Sequence, residues 1–494
     1  MFGPWLASAC VRPSEPPPVD VPVPTPAPTT APDHDGRLVL TVGPVAAGIP
    51  VAFTVRNLYP GDTLRVAWSV DGPGADPLDG APTGLASPIG AADAVADLSY
   101  AATAAATLEV DPGATVWAQG LVVRVADGAS EATAVVARPA FDPALVAVGD
   151  VVVADAGDLD ALDGVAAITG ALRIEDTPLA AVSLPGLVQV GGSITVWDDP
   201  ALETLSLPAL RWVGGDLSLY ADPALAAVDG LAAVEAVGGT LAVHRMDRIR
   251  DLDPLVALSS VEGDLYLYHD LQLDHVALPA LRSLGGNLDL WELDALDRVS
   301  LPALTRIEHK LDVFVTASLV DLDLPVVASI GSFELHHADA MTDVGTFPEL
   351  VALPGDVDLQ YTPSLVGLTG FARVERVRTL RVQFVDGLGS FGDLTALTTV
   401  DTALELFRLP SVTALDLPAL ASCGTLKITR DDALVDPGLP ALTEVRGAVE
   451  IRDNPGLSTC AIEALLDRLA IGGAVTCGGN LADGCAAWCA PEGA

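Results

Sequence analysis

A pair of apolar residues two positions apart recurs through most of this 494-residue chain at intervals of 22 to 24 residues. A unit of this length cannot bury its apolar pair alone, so successive units must stack as the coils of a solenoid. Stacking places equivalent strands about 4.8 Å apart in a parallel sheet, so thirteen or fourteen coils predict a rod on the order of 60 Å long. The first members of the regular pairs are Leu172, Ile194, Leu217, Leu241, Leu265, Leu288, Leu311, Phe333, Val357, Leu380, Leu404, Leu426 and Val449.

We number each coil so that its apolar pair occupies positions 4 and 6. Positions 5 and 7 then point outward, because side chains alternate along a strand. Each unit is predicted to hold one short strand, and Val151 and Val153 add a first, less regular coil. A Gly-Gly pair precedes several of the strands, as at Gly191, and an Asp-Pro turn follows some of them, as at Asp199. Proline in most units excludes long helices.

The strand pattern, the Gly-Gly lead-in and a recurrent Leu-Pro-x-Leu segment, as at Leu184 and Leu207, resemble the receptor L domain. This family is the leucine-rich-repeat-like β-solenoid of insulin- and growth-factor-type receptors and of some fungal and bacterial surface proteins. The resemblance covers residues 148–457 and implies a module that binds ligands on its solenoid surface. The chain has more coils than the animal receptors, almost no cysteine inside them, and no asparagine ladder like that of ordinary leucine-rich repeats.

The segment before the solenoid, residues 36–140, contains short runs of alternating apolar residues separated by Gly, Pro and Asp. This pattern predicts one β-sandwich. The predicted fold class is therefore all-β: an N-terminal β-sandwich, a parallel β-solenoid and a C-terminal helical cap.

Four cysteines crowd into the last 35 residues and are predicted to pin this cap, residues 458–494. An even number in a short segment indicates two disulfides, with three possible connectivities, and a four-cysteine zinc site is the alternative. The cap is also predicted to contain an amphipathic helix, with Ser458 or Thr459 as its N-cap. The four residues are Cys460, Cys477, Cys485 and Cys489.

Residues 1–35 are predicted to combine a truncated export signal with a linker. The residues that end at Cys10 read Leu-Ala-Ser-Ala-Cys, which resembles a bacterial lipobox, whose cysteine becomes lipidated. A chance cysteine in a tail is the alternative. Residues 13–32 contain nine prolines, which favour an extended, semi-rigid spacer. With the clustered cysteines, these features predict an exported, lipid-anchored protein at the bacterial cell surface or outer membrane.

The charge balance excludes some classes of partner. The chain has 25 Lys and Arg against 66 Asp and Glu, a formal net charge of −41. Nucleic acids and anionic membrane surfaces bind basic patches, so neither is expected as a partner. No run of apolar residues is long enough for a membrane-spanning helix. The chain also lacks the H-E-x-x-H, G-x-S-x-G and P-loop motifs of common enzyme classes.

Seven consecutive coils carry a ring at the outward position 7, although aromatic residues make up only 5% of the chain. Exposed aromatic rows of this size mark interaction sites, so the row predicts a platform for sugar rings or for apolar side chains of a protein. The alternative is structural, because neighbouring rings stabilise a sheet face. Phe407 is read as an isolated recurrence. The predicted platform consists of Trp197, Tyr220, His244, Tyr268, Trp291, Phe314 and His336.

Position 5 carries four acids in consecutive coils: Asp289, Asp312, Glu334 and Asp358. Like charges on directly opposite strands destabilise a sheet, so the row needs compensation. Lys310, water or a calcium ion with these oxygen ligands would each supply it. A solvated acidic face is the alternative.

The leading functional hypothesis is a non-enzymatic cell-surface binding or adhesion protein for protein or glycan ligands. Apart from calcium, no cofactor is predicted, and the oligomeric state is left open. One alternative is a β-helix polysaccharide lyase or hydrolase, because carboxylates about 5 Å apart on adjacent coils match a retaining glycosidase. Another alternative is a purely structural surface scaffold.

Overall fold

The computed structural model describes residues 38–56, 58, 61–69, 94–95, 101–108, 110–123, 129–133 and 136–485. Cys10, the proline-rich segment and Cys489 lie outside the described residues, so the lipidation and linker hypotheses stay predictions. Within the described part of the chain, no helix is long and apolar enough to cross a membrane. The architecture is all-β, as predicted, with a parallel solenoid of about 14 turns.

The N-terminal strands form the predicted β-sandwich from two sheets that enclose one core. Phe53 and Trp68 are buried in this core and stack with their ring centroids 5.5 Å apart. One sheet contains Val39–Val42, Pro50–Arg56 and Ala101–Thr107. The other contains Val45–Ala46, Val136–Phe141, Thr115–Val123, Thr63–Ser69 and Ala94–Val95, with Ser130–Ala132 beside Thr115–Val123.

One parallel sheet of 24 strands runs along the solenoid and confirms the predicted stacking of the coils. Its register joins equivalent positions, for example Leu265 to Leu288 and Tyr268 to Trp291. The first coil contains Val151–Val153, as predicted. In order, the strands are Val146–Ala147, Val151–Val153, Ala167–Ile168, Leu172–Glu175, Gln189–Val190, Ile194–Trp197, Trp212–Val213, Leu217–Tyr220, Ala236–Val237, Leu241–His244, Ser260–Val261, Leu265–Tyr268, Ser283–Leu284, Leu288–Trp291, Arg306–Phe314, Ser329–His336, Asp356–Gln360, Arg376–Gln383, Thr399–Phe407, Ser422–Thr429, Glu444–Val445, Val449–Arg452, Ala470–Ile471 and Val475–Thr476.

Many coils contribute two strand segments to this sheet rather than the single short strand predicted. A two-residue segment such as Trp212–Val213 precedes the Gly-Gly pair, and a four-residue segment such as Leu217–Tyr220 follows it. The glycines are needed because adjacent coils approach closely there: a Cβ on Gly214 would lie 2.1 Å from the carbonyl oxygen of Gly191. In several coils that lack the pair the two segments merge, as in Thr399–Phe407.

The remaining elements are short and lie on the other sides of the coils. Two smaller parallel sheets consist of Ala181–Ser183 with Thr204–Ser206, and of His275–Ala277, Arg298–Ser300 and Asp321–Asp323. The helices are Ala156–Ala161 and Thr459–Leu466, and the 3-10 turns are Pro143–Leu145 and Thr369–Phe371. A single hydrophobic core extends through the solenoid from Val153 to Cys477.

A buried polar column runs along the solenoid at position 9, three residues after the inward position 6. Asp222 illustrates its geometry: one carboxylate oxygen, Oδ1, accepts a hydrogen bond of 2.8 Å from the backbone N–H of Asp199 in the preceding coil. Asn454 in turn accepts from the N–H of Asp431 at 2.9 Å. The Asp-Pro motif is therefore more than a turn: it belongs to a mixed ladder of Asp, Asn and Thr, which differs from the asparagine ladder that the sequence lacks. Asp, Asn and Thr share the column with apolar residues such as Leu293.

The C-terminal helix, Thr459–Leu466, starts as predicted, with Ser458 as its N-cap. After the helix the chain returns to the main sheet, where Ala470–Ile471 and Val475–Thr476 pair in parallel with the preceding coil. The helix therefore lies within the last coil, and the solenoid continues beyond the boundary predicted at residue 457.

The cysteines of the last coil are oxidised, as predicted. Cys460 and Cys485 form a disulfide, and Cys477 is also disulfide-bonded. The alternative four-cysteine zinc site is therefore not formed. Cys423 is a free, buried thiol, and burial raises its pKa to about 12, so it is unreactive at neutral pH.

Removing the Cys460–Cys485 disulfide is expected to loosen the last coil before the rest of the solenoid. The double variant Cys460→Ser, Cys485→Ser should lose about 2–4 kcal/mol of unfolding free energy, because the crosslink restricts the unfolded chain. Amide hydrogen exchange at Val475–Thr476, the last strand of the sheet, measures the effect locally. Unchanged protection there, with protection lost in central coils instead, would contradict this expectation.

The sandwich packs against the side of the early coils rather than only over the first one. The Gln189 side chain donates a hydrogen bond of 2.7 Å from Nε2 to the carbonyl oxygen of Val42. The Arg138 guanidinium lies 4.7 Å from the centroid of the Trp212 ring, and burial lowers the pKa of Arg138 to about 10. The sandwich residues that make these contacts do not cover the outward positions 5 and 7 of the coils.

Candidate functional site

The outer face of the main sheet carries the predicted ring row, and the predicted alternation holds. Positions 4 and 6 are buried, as at Leu288 and Leu290, while the ring at position 7, Trp291, is partly exposed. Trp197, at one end of the row, has 40% of its surface exposed. Rings at position 7 therefore face solvent along the solenoid.

Position 8, the residue after each ring, has the same unusual backbone in all thirteen regular coils. Its φ lies between 52° and 62°, in the left-handed region, although none of these residues is glycine. Its N–H still bonds to the next coil, as from Tyr361 to the carbonyl oxygen of Gln383. A left-handed residue interrupts the strand alternation, so the side chain at position 8 need not point away from the side chain at position 7.

This backbone lets the ring row continue where position 7 is no longer aromatic. From His337 onward the rings come from position 8, and Tyr361 and Phe384 continue the row until Phe407 rejoins it at position 7. Phe407 is therefore not isolated, as the sequence suggested, but the end of the row. His336 lies beside the row, with its ring 6.3 Å from Phe314.

The resulting surface is named the aromatic ridge. Its members occupy ten consecutive coils, and successive ring centroids lie 4.5 to 6.4 Å apart. Nine coil spacings give the ridge a length of about 43 Å. The ridge consists of Trp197, Tyr220, His244, Tyr268, Trp291, Phe314, His337, Tyr361, Phe384 and Phe407.

Ring orientation divides the aromatic ridge into two parts. The rings of His337, Tyr361 and Phe384 are stacked and nearly parallel, with interplanar angles of 1° and 9°, so their faces cover one another. Tyr268 and Trp291 instead meet at 90°. In an edge-to-face pair, the ring that presents its edge keeps both of its own faces uncovered by its partner. The stretch around Trp291 is therefore the part of the ridge with ring faces open to a ligand.

Two arginines pack over rings at the C-terminal end of the aromatic ridge. The Arg408 guanidinium lies 5.2 Å from the centroid of Phe384, and that of Arg430 lies 5.6 Å from Phe407. Both distances are within the range of cation–π attraction. These ring faces are therefore occupied by the protein's own cations.

The acidic row at position 5 is compensated mainly by side chains of the protein. Lys310 places Nζ 2.8 Å from Oδ2 of Asp312 and 3.1 Å from Oε2 of Glu334. Arg381 lies 3.0 Å from the Asp358 carboxylate and also contacts Glu405 at 2.8 Å. Three of the four acids are therefore compensated by cationic side chains: Asp312 and Glu334 by Lys310, which the sequence singled out, and Asp358 by Arg381, which it did not.

Asp289 is the exception. It is 6% exposed, and no ion pair joins it to any cation of the described residues. Its Oδ1 has no hydrogen-bond partner within the part of the chain that the structure describes. Burial, followed by the nearby Asp264 and Asp312 carboxylates, raises the pKa of Asp289 to about 7. Part of the Asp289 population is therefore protonated near neutral pH.

Asp289 belongs to a group of four side chains that sequence analysis did not bring together. Its strand neighbour in the preceding coil is Tyr266, and Tyr268 is paired in the same way with Trp291. The Tyr266 centroid lies 6.1 Å from Tyr268 and 5.9 Å from Trp291. Burial raises the pKa of Tyr266 to about 12. We call Tyr266, Tyr268, Asp289 and Trp291 the ring–carboxylate patch.

His244 continues the ridge next to this patch. Its ring centroid lies 4.5 Å from Tyr268 and 6.2 Å from Tyr266. Burial lowers the pKa of His244 to about 4, so the imidazole is neutral at physiological pH. His244 therefore acts as a ring of the ridge and adds no charge to it.

Metal-ligand geometry occurs elsewhere among the described residues. Asp251, Asp253 and His275 bring one ligand atom each within 4.8 Å of one another, and His275 Nε2 lies 3.0 Å from Asp253. The only other such group in that part of the chain includes the Cys460–Cys485 disulfide. The four acids predicted to hold calcium do not form such a group there.

No protein-family model, curated protein or solved structure matches this chain. The receptor L-domain resemblance therefore stays a prediction, and function is argued from the ridge and the side chains around it.

Proposed function

We propose that this protein is a non-enzymatic cell-surface binding protein whose aromatic ridge contacts a basic protein ligand. The observation that carries the proposal is the unbroken run of ten rings on the outer face of the sheet. A structural role for neighbouring rings requires only local pairs. A single row that changes backbone position to stay continuous over about 43 Å is better suited to an extended contact surface.

In the stacked part of the aromatic ridge, ring orientation favours a protein over a glycan as the ligand. Sugars stack on open ring faces, whereas the faces of His337, Tyr361 and Phe384 cover one another. Such stacks present ring edges to solvent along the row. Ring edges are suited to contact with apolar side chains and with carbonyl oxygens of a polypeptide, because the edge carries positive partial charge.

Charge favours a basic ligand. The chain has a net charge of −41, which attracts cationic partners over distances comparable with the Debye length. Acidic side chains, including Asp289 and Glu292, also lie directly beside the open-faced part of the ridge. The same proposal includes the location of the protein at the cell surface after export. It also includes its similarity to L domains that bind ligands.

An enzymatic role is less well supported by the acidic row. Asp312 and Glu334 would be the carboxylate pair of a retaining glycosidase, but Lys310 Nζ lies within 3.1 Å of both. The ammonium group occupies the space that a glycosidic oxygen would need. The coils also stay at 22 to 24 residues, without insertions that would build walls around a substrate.

A displayed random-peptide library and a glycan array, screened at equal ionic strength, test the proposal. Wild-type protein is expected to select basic peptides, and the double variant Tyr268→Ala, Trp291→Ala should bind them at least about 10-fold more weakly, as for hot-spot residues. Val320→Ala is the matched control, because this exposed side chain lies away from the ridge. Selection of glycans alone, or unchanged peptide binding by the double variant, would contradict the proposal.

A further inference from the structure

The ring–carboxylate patch combines three aromatic rings with one acidic side chain on two adjacent strands, Leu265–Tyr268 and Leu288–Trp291. Tyr266 and Trp291 meet at 73° and Tyr268 and Trp291 at 90°, so the rings do not stack face to face. Asp289 is the strand neighbour of Tyr266 and lies two residues before Trp291, on the same outer face. Aromatic faces beside a carboxylate form the environment in which proteins bind organic cations.

The patch lacks the cation that its neighbours have. One coil further along, Asp312 is paired with Lys310 at 2.8 Å, and Asp358 is paired with Arg381 at 3.0 Å. Asp289 is as buried as Asp312, yet no described cation forms an ion pair with it. Asn287 donates a hydrogen bond to the Asp289 carboxyl group, but a buried carboxylate without a paired counter-charge is costly, and a bound cation removes that cost.

We propose that the ring–carboxylate patch binds the ammonium group of a lysine side chain, held against the faces of Tyr266 and Trp291 with Asp289 as its counter-charge. This inference rests on the proposed function, since the lysine belongs to the protein ligand that contacts the aromatic ridge. It adds the chemical group that the ligand must present and the place on the ridge where that group is bound.

A primary ammonium fits better than a quaternary one. Oδ1 of Asp289 has no hydrogen-bond partner among the described residues. A lysine ammonium carries three N–H donors, whereas a quaternary ammonium such as that of choline carries none. This acceptor is itself buried, so a ligand reaches it only when neighbouring side chains move, and its lack of a partner favours lysine over a quaternary choline headgroup.

Binding of Nα-acetyl-lysine methylamide to the full chain, measured by nuclear magnetic resonance titration, tests the inference. Nα-acetyl-norleucine methylamide is the neutral probe of the same shape, and choline is the quaternary probe. We expect the lysine probe to bind at least 10-fold more tightly than either. Equal binding of the norleucine probe, or tighter binding of choline, would overturn the assignment to lysine.

Asp289→Asn is the decisive variant, and Asp312→Asn is its matched control on the next coil. Asp289→Asn should lower the affinity for the lysine probe about 10-fold. The second should change it less than two-fold, because the Asp312 carboxylate is already paired with Lys310. Thermal unfolding of both variants checks that each is folded. Equal losses of affinity in the two variants would contradict a specific site at Asp289. They would mean that the acidic row attracts the probe only through its combined negative charge.

The pH dependence gives a second readout. The charged or polar groups around Asp289 are Asp264 and Tyr266 on the preceding coil, Asn287 on its own coil, and Lys310 and Asp312 on the next. With the pKa of Asp289 at about 7, its ionised fraction rises from about one tenth at pH 6 to about nine tenths at pH 8. Affinity for the lysine probe should therefore rise about nine-fold over this range. Asp289→Asn should abolish the rise, and a rise retained in that variant would contradict the assignment.

The two proposals fail in different ways. If selected peptides still lose affinity in the Tyr268→Ala, Trp291→Ala variant but no lysine probe responds to Asp289→Asn, only the ammonium site is wrong. If selected peptides bind that double variant normally, the ridge itself is not the binding face.

Discussion

Replacing Leu288 with alanine is expected to lower the free energy of unfolding by about 2–5 kcal/mol. Leu288 is fully buried at position 4, between Leu265 and Leu311 of the adjacent coils. The substitution removes buried apolar contacts and leaves a cavity that the tightly stacked coils cannot close. Chemical denaturation of the full chain measures the loss.

Trp291→Ala is the control for this prediction, because the two residues lie on the same strand with opposite orientations. It should cost only about 0.2–1 kcal/mol for each ring contact that is lost, here with Tyr266, Tyr268 and Phe314. A loss as large as that of Leu288→Ala would show that the ridge is a second core rather than an exposed face.

Replacing three aspartates of the position-9 column with asparagine is expected to stabilise the solenoid at pH 8. The variant is Asp222→Asn, Asp270→Asn, Asp431→Asn. In each aspartate Oδ1 accepts a backbone hydrogen bond, while the buried Oδ2 has no partner among the described residues. Asn454 shows what the amide adds, since its Nδ2 donates a hydrogen bond of 3.1 Å to the carbonyl oxygen of Ile428. Satisfying a buried polar atom in this way is worth about 1–3 kcal/mol per site.

The sign of the pH dependence follows from the direction of the pKa shifts. Burial raises the pKa of Asp222, Asp270 and Asp431 to about 7 in the folded protein, from an ordinary value of 3.8. The folded state therefore holds protons that the unfolded state releases. The stability that these groups contribute is fully present below about pH 4 and is lost as the pH rises to about 7.

The triple variant should therefore differ from wild type most at pH 8 and least at pH 4. Asp356→Asn is the opposite control, because the Arg378 guanidinium holds the pKa of the Asp356 carboxyl below its usual range. That variant should be slightly less stable than wild type at pH 8, by no more than about 1 kcal/mol for an exposed pair. A triple variant that is no more stable than wild type at pH 8 would contradict the account of the column.

The solenoid and its outward face could be predicted because the repeat carries its own geometry. A pair such as Leu288 and Leu290 identifies the inward face, and strand alternation then places Trp291 outward. The Lys310 compensation was also predictable, since the lysine lies two residues before Asp312 in an otherwise acidic row.

The continuation of the ridge could not be predicted from strand alternation. Aromatic residues such as Tyr361 and Phe384 rarely adopt a left-handed backbone, so nothing in their type announces that conformation at position 8. The signal that could have found them is a ring at position 8 in three successive coils. In two of these coils position 7 is a glutamine, Gln360 and Gln383.

The buried polar column was misread for a related reason. Asp199 and Asp222 precede proline, and Asp-Pro is a common turn motif, so the sequence analysis interpreted these aspartates only as turn residues. The fixed distance of five residues from position 4, kept by Asp270, Asp431 and Asn454, was the sign of a ladder. A turn motif does not show whether a residue is buried, whereas a polar residue that recurs at the same position of many coils indicates a shared buried environment.

The most direct test of the ridge is to compare its rings with non-ring side chains of the same two coils, using one ligand. Peptides selected by the wild-type protein should lose at least about 10-fold in affinity for Tyr361→Ala, Phe384→Ala, as expected for hot-spot residues. Gln360→Ala, Gln383→Ala changes position 7 of the same two coils, outside the ridge, and should bind normally. The result that would contradict one continuous binding face is the reverse: normal affinity in the ring variant and lost affinity in the glutamine variant.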